Sequence, residues 1–278
     1  MLENSTVQHV FIVGSKGIPG NYGGYETFVD KLTEYHQNNP NLKYHVACKA
    51  KDTKTFEYHN ADCFNVKVPD IGPAQAIYYD VAALNYCVKY IRQHNIQHPI
   101  VYILACRIGP FAAHFQRVIH KLGGKLYINP DGHEWMRAKW SAPVRKYWKI
   151  SEQLMAKHCD LLICDSKNIE KYIHDEYGKY HPKTTFIAYG AETRKSKLAD
   201  NDPKLIAWYK EKGLSPKSYY LVVGRFVPEN NYETMIREFM KSHSKHDFAL
   251  ITNVSDKFLE ELKEKTHFDQ DPRIKFVG

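Results

Sequence analysis

Thirteen residues near the start of the chain, Gly14-Ser15-Lys16-Gly17-Ile18-Pro19-Gly20-Asn21-Tyr22-Gly23-Gly24-Tyr25-Glu26, have the composition of an anion-binding turn. Glycines let backbone N–H groups approach a phosphate, and a helix starting just after them adds partial positive charge. The spacing is not G-x-G-x-x-G and does not end in G-K-[ST], so neither a dinucleotide fingerprint nor a P-loop is met. A glycine-rich turn that binds nothing stays open as the alternative. Other reactive side chains cluster in four short stretches. These are Ala105-Cys106-Arg107-Ile108-Gly109-Pro110, Pro130-Asp131-Gly132-His133-Glu134-Trp135, Tyr189-Gly190-Ala191-Glu192 and Gly224-Arg225-Phe226-Val227-Pro228-Glu229-Asn230-Asn231.

Each stretch follows an apolar run of strand length. Val10–Val13 precedes the glycine-rich turn, and Thr27–Leu32 opens a helix in which Phe28, Leu32 and Tyr35 recur at helical spacing until Asn38-Asn39-Pro40-Asn41. Tyr44–Cys48 and Cys63–Val68 read as strands, and Ile77, Val81, Leu84, Val88 and Ile91 mark one face of a long helix. Ile100–Leu104 is continuously apolar, as in a parallel strand buried on both faces. A helix through His114 and Val118 ends at Gly123-Gly124, and strands follow at Lys125–Asn129, Asp160–Cys164 and Thr184–Ala188. Asp165-Ser166 caps the helix after the second of these. This alternation predicts an α/β fold with a parallel sheet and helices on both faces, whose ligands bind beyond the carboxyl ends of the strands.

A polar stretch, Thr193–Pro203, reads as a linker. A second α/β pattern then begins, with strands at Tyr219–Val223, Phe248–Ile251 and Ile274–Val277 and helices through Met235–Met240 and Phe258–Leu262. The expected organisation is a Rossmann-like domain over 1–195 and the opening part of another over 196–278. Three strands and two helices are thin for a domain, as if a larger one were cut at Gly278.

With 278 residues, 43% of them hydrophobic, a sizeable core is available, and no run of ~18 apolar residues predicts a membrane span. Met1–Gln8 is polar, unlike a signal peptide. Six cysteines without a C-x-x-C pair read as reduced core thiols of a cytoplasmic protein. A net charge of +8 suits an acidic partner. The abundant aromatic residues lie at core spacing, so nucleic acid is not expected. Trp135 to Lys149 interleaves aromatic and basic side chains, the pattern of a helix on an anionic membrane surface or of an ordinary helix with a solvated basic face.

Taken in order, Gly17-Ile18-Pro19 with Tyr22-Gly23-Gly24-Tyr25-Glu26-Thr27, Asp131-Gly132-His133-Glu134-Trp135 with Arg137, Lys139 and Trp140, Tyr189-Gly190-Ala191-Glu192, and Gly224-Arg225 with Pro228-Glu229-Asn230-Asn231 carry a resemblance. The pattern resembles retaining GT-B glycosyltransferases of family four, and within them the bacterial β-1,4 rhamnosyltransferases of capsule and cell-wall polysaccharide assembly. It extends over nearly the whole chain.

That resemblance implies two Rossmann-like domains, the first binding the acceptor and the second the nucleotide-sugar. It implies metal-independent transfer with retention, and no cofactor. Gly23, Gly24, Arg225 and Asn230 would hold the donor diphosphate, Arg225 through its fork of donors. Asn230 or Asn231 stands where relatives place a lysine. Asp131 stands where many relatives place a histidine, with His133 and Glu134 beside it. One of these three would orient an acceptor hydroxyl or take its proton, or else cap a helix. Tyr22, Glu26, Arg107, Trp135 and Arg137 would line the acceptor site. The donor would be dTDP-rhamnose and the acceptor a polyprenyl-diphosphate-linked saccharide, met at the inner face of the cell membrane. A UDP-hexose donor, a non-catalytic sugar- or nucleotide-binding module and a GT-B epimerase are the alternatives. The family's E-x7-E carboxylate pair would fall beyond Gly278.

Overall fold

The computed structural model describes residues 7–21, 23–130, 132–137 and 139–278. Two compact units, Met1–Ala191 and Glu192–Gly278, make up the chain.

The first unit carries eight strands: β1 (Gln8–Val13), β2 (Leu42–Ala50), β3 (Thr55–Tyr58), β4 (Ala61–Lys67), β5 (Ile100–Leu104), β6 (Lys125–Asn129), β7 (Leu161–Cys164) and β8 (Thr184–Phe186). Its helices are α1 (Gly24–His36), α2 (Gln75–Gln93), α3 (Gly109–Lys121), α4 (Ala142–Lys157) and α5 (Lys167–Tyr177). The strands lie in the order β3-β4-β2-β1-β5-β6-β7-β8. Every pairing is parallel except β3 with β4. The chain runs outward from β1 to β2 and β4, then returns through α2 to β5 on the other side of β1. That reversal opens a crevice beyond the carboxyl ends of β1 and β5.

Side-chain alternation divides the core. Phe11, Val13, Val101, Ile103, Leu126 and Ile128 face a layer that includes Leu84 and Cys87 of α2, Phe115 and Ile119 of α3, and Met155 of α4. Ile12, Val46, Tyr102 and Leu104 face α1 through Val29, with Phe28 and Leu32 packed around them. The apolar stripe of α1 is therefore Phe28, Val29 and Leu32, whereas Tyr35 is 84% exposed. All six cysteines are free, and Cys159 alone is not fully buried.

Strand β3 has no counterpart in the sequence pattern. It is four residues long and largely exposed, so it lacks an apolar run to announce it. It pairs antiparallel with β4 across His59 and Asn60, both at positive φ, the backbone of a tight hairpin turn. Gly109 sets the approach of two helices: a Cβ there would collide with the backbone of Ser151 in α4. Its N–H donates to Ser151 Oγ at 2.8 Å.

The second unit has three parallel strands, β9 (Tyr219–Val223), β10 (Asp247–Ile251) and β11 (Ile274–Phe276), in the order β11-β10-β9. Three helices accompany them, α6 (Pro203–Lys212), α7 (Tyr232–Lys241) and α8 (Asp256–Thr266). Its main core is Phe226, Tyr232, Ile236, Phe248, Leu250, Leu262 and Phe268. Helix α6 is an addition to the sequence expectation. It buries no residue fully, so its apolar periodicity is faint, and Trp208 and Tyr209 pack only partly against Leu214, Ala249 and Val277. Its ends are nonetheless written in the sequence: Asp202 accepts the Lys204 N–H at 2.8 Å, Pro203 opens the first turn and Gly213 closes it at φ 62°.

Candidate functional site

The glycine-rich turn emerges from β1 into the crevice beside β5. Gly14 takes φ 104°, and any Cβ there would collide with the Leu104 carbonyl, so β1 and β5 close on each other only with glycine at this point. Two carboxylates of α1 then reach back to hold the turn. Glu26, buried, accepts the Lys16 N–H at 2.6 Å, and Asp30 accepts the Gly20 N–H at 2.7 Å. Those two amides are therefore engaged inside the protein. Glu26 was among the sequence-selected residues; Asp30 was not, although it lies one helical turn further on the same helix.

Gly23 is the residue before α1, at φ 122°, and a Cβ on it would collide with the Glu26 carboxylate. Gly24 is the first helical residue, and a Cβ there would meet nothing within 4 Å. Gly23 contributes no side-chain cap to the N-terminus of α1. The positive end of the helix thus lies beside the turn, at exposed Gly24. Tyr22 and Asp131 lie outside the described residues.

Arg107, after β5, clamps the turn from below. Its Nη1 lies 3.2 Å from both oxygens of Asp80 on α2, and its Nη2 donates to the Gly14 carbonyl at 2.9 Å. Tyr147 of α4 donates to the Arg107 carbonyl at 2.8 Å. Asp80 has no exposed surface, and burial pushes its pKa up to about 6 against the opposing pull of Arg107. Asp80 was not singled out in the sequence; its place on the apolar stripe of α2, between Ile77 and Leu84, is the signal that could have found this buried pair.

His133, Glu134, Trp135 and Arg137 lie together in the loop after β6. Glu134 meets Arg137 at 2.7 Å and Lys139 at 3.2 Å and accepts the Trp140 indole N–H at 2.9 Å, so it is the hub of the loop. Trp135 donates through its indole to Tyr172 of α5 at 3.1 Å, while its carbonyl accepts from Arg145 at 2.9 Å. Lys149 caps this assembly, 4.4 Å from the Trp135 ring and 2.7 Å from Glu176. His133, in the left-handed region at φ 53°, has its ring centroid 4.0 Å from that of Tyr172, tilted by 41°, and remains exposed. Tyr172 donates in turn to buried Glu152 at 2.5 Å. The loop is thereby anchored to both α4 and α5.

Asn129, the last residue of β6 and 1% exposed, joins Tyr25 and Tyr189, from two of the stretches singled out in the sequence, to Tyr102 of β5. Its amide nitrogen donates to the hydroxyls of Tyr102 and Tyr189, each at 3.3 Å, and its oxygen faces the Tyr25 hydroxyl at 3.5 Å. Tyr189 also packs its ring 5.0 Å from Phe28.

In the second unit the loop after β9 exposes Arg225. Asn230 is likewise exposed, and its Nδ2 donates to the Arg225 carbonyl at 2.7 Å, folding the loop on itself. The hydroxyls of buried Tyr232 and Thr252 have no hydrogen-bond partner among the described residues. No group of three or more His, Cys, Asp or Glu among the described residues is arranged to hold a metal ion. No helix among them is long and apolar enough to cross a membrane.

A parallel sheet reversing at β1, followed by a second α/β unit, is the GT-B fold. The sucrose-phosphate synthase of Thermosynechococcus elongatus superposes with a TM-score of 0.69 at 13% identity, over 98% of this chain and 70% of that one. Anabaena Alr3699/HepE, solved with UDP and glucose, gives 0.59 at 12% identity, over 98% and 69%. The E. coli trehalose-6-phosphate structure bound with UDP-2-fluoro glucose gives 0.53 at 14%, over 95% and 69%. Within this fold the chain belongs to the family described as "Domain of unknown function (DUF1972)", whose model matches residues 7–192. No curated protein matches the sequence.

Proposed function

We propose that the chain acts as a glycosyltransferase on a nucleotide-sugar. The observation that carries this is the glycine start of α1 directly after the turn from β1, with Gly24 exposed and no atom within 4 Å of where its Cβ would lie. A diphosphate is the ligand such a helix end favours. The UDP and glucose of the HepE structure and the UDP-2-fluoro glucose of the E. coli structure support a nucleotide-sugar as the source of that diphosphate.

In this proposal Gly23 and Gly24 lie against the donor diphosphate, and Arg225 and Asn230 stabilise the charge that develops on it as the nucleotide leaves. Glu26 and Arg107 act by holding the turn, since both are anchored to its backbone. His133, Trp135 and Arg137 border the acceptor, with Glu134 fixing their loop. Residues 1–195 bind the acceptor and 196–278 open the donor-binding domain. Transfer is metal-independent and retains anomeric configuration. The proposed donor is dTDP-rhamnose, and the acceptor a lipid-linked saccharide of capsule or cell-wall synthesis. Exposed Arg145 and Lys146 dock the protein on the anionic inner face of the cell membrane, while Arg145 also donates to the Trp135 carbonyl and Lys149 pairs with Glu176.

The test is a transfer assay with a short-chain glucose-diphospho-lipid, offering dTDP-rhamnose, UDP-glucose and UDP-N-acetylglucosamine in parallel with EDTA present. Transfer that survives EDTA and falls at least a hundredfold in Arg225→Ala is expected. Transfer from a UDP-sugar alone would replace the rhamnose assignment. Nucleotide binding without transfer from any donor would make the chain a binding module. Flotation with anionic liposomes checks the membrane: Arg145→Glu with Lys146→Glu should leave the protein at the bottom of the gradient.

A further inference from the structure

Asp165 follows β7 directly, at the same carboxyl edge of the sheet as Asn129. Its Oδ1 is buried and has no hydrogen-bond partner among the described residues. Strand alternation places it on the α1 face: Ile163 packs into that layer and Cys164 into the opposite one, so Asp165 turns back toward α1. Tyr102, whose hydroxyl accepts from Asn129, lies on the same face. Burial raises the Tyr102 pKa to about 12, with the Asn129 hydrogen bond opposing and the charge of Asp165 adding to the rise. Burial also raises the pKa of Asp165 itself.

An acceptor oxygen sealed from water without a donor is costly, and native proteins rarely leave one so. The residue as a whole is half-buried. Three kinds of ligand could supply what Oδ1 lacks. A divalent cation would need further anionic ligands, and the described residues hold no such group. An anion would be repelled by the carboxylate. A neutral hydroxyl donor fits, because the nearby polar groups are an amide and tyrosine hydroxyls, and because the rings of Phe28 and Tyr189 offer apolar faces next to them. Polar groups of fixed direction beside aromatic faces are what a sugar ring requires.

We infer that Asp165, with Asn129, Tyr102 and Tyr189, forms a subsite for a saccharide, in which the Asp165 carboxylate accepts a hydrogen bond from one sugar hydroxyl. The inference deepens the transferase proposal by giving the acceptor a place on the α1 face, and it rests on that proposal for the identity of the saccharide as acceptor. Asp165 binds and orients; no proton leaves the hydroxyl in this step.

The experiment is ligand-observed NMR on the full chain with methyl glycosides of glucose, rhamnose and N-acetylglucosamine, each with and without UDP, followed by single-deoxy analogues of whichever binds. Wild type should bind at least one glycoside, and one deoxy analogue should bind at least tenfold more weakly. Asp165→Asn should show the same tenfold loss and should bind the parent and that deoxy analogue alike. Tyr189→Phe should also weaken binding. The melting temperature of Asp165→Asn should not fall, because the change removes a buried charge with no partner; a purely structural carboxylate would lower it. Undiminished glycoside binding by Asp165→Asn, or no binding of any glycoside by wild type, overturns the subsite. UDP and dTDP binding are measured in the same samples. Loss of nucleotide binding in wild type counts against the transferase proposal while leaving the saccharide result to decide the subsite.

Discussion

Arg107 lies 3.2 Å from both carboxylate oxygens of Asp80 while its other nitrogen holds the Gly14 carbonyl, so a fully buried acid on α2 fixes the start of the glycine-rich turn. Removing one partner of a buried ion pair costs about 3–5 kcal/mol, because the other charge is left without compensation. The folded-state pKa of Asp80, about 6, lies above its ordinary 3.8, chiefly through burial. Its contribution to stability is therefore greatest below about pH 4 and is lost as pH rises through about 6. Arg107→Met removes the one charge that opposes this rise. Its stability deficit against wild type should be several kcal/mol at pH 8 and clearly smaller at pH 5, where Asp80 becomes neutral. Urea denaturation at the two pH values measures it.

Glu26 and Asp30 hold the turn through the amides of Lys16 and Gly20. Glu26→Ala leaves the Lys16 amide without its charged acceptor, a loss of about 1–3 kcal/mol. Hydrogen exchange should show the Lys16 amide losing most of its protection while amides of β5 keep theirs. Unchanged protection at Lys16 would show that the carboxylate does not hold the turn.

Gly24 separates ligand space from packing. A Cβ there meets nothing within 4 Å and the residue is already helical, so Gly24→Ala should keep or raise stability by up to about 1 kcal/mol. Nucleotide-sugar binding should fall at least tenfold, because the methyl group would occupy the space above the helix end. Thermal melting and calorimetric titration with UDP-glucose and dTDP report the two effects separately.

A second buried titrating group lies away from the crevice. His45 Nδ1 faces Asp62 at 3.4 Å and its Nε2 meets His9 Nδ1 at 2.9 Å, with Lys43 and His94 also nearby. Burial, with the charges of Lys43, His9 and His94, lowers its pKa to about 4 against the pull of Asp62. The stability this provides is present above about pH 6.5 and is lost as pH falls through about 4, up to about 3 kcal/mol in all. His45→Gln should have a flatter stability profile between those values. Melting temperatures measured at pH 7 and pH 4.5 give the comparison.

The elements that position the crevice were legible because each carries a local signal. Ile100–Leu104 is apolar without interruption, Asp202 and Ser166 occupy helix starts where their side chains accept backbone N–H groups, and the glycines of the turn precede an amphipathic helix. Strand β3 and helix α6 were missed because both lie at the surface, where burial imposes no period. Among the single residues, Asp80 was not singled out, although it lies as an acid on an apolar stripe. Asn129 showed only as the polar end of a buried strand.

What the sequence determined on its own was the alternation of strand and helix, and with it the parallel sheet. These follow from apolar periodicity, which depends only on neighbours along the chain. What tertiary structure alone decided was the use of each polar group. Arg107 came to hold Asp80 and Gly14, which lie 27 and 93 residues away in sequence, and Glu134 became the hub of its own loop. Asp165 was left with a buried oxygen and no partner. Hydrogen bonds are short-ranged and directional, so a polar side chain's partner is set by which strands the sheet order brings together.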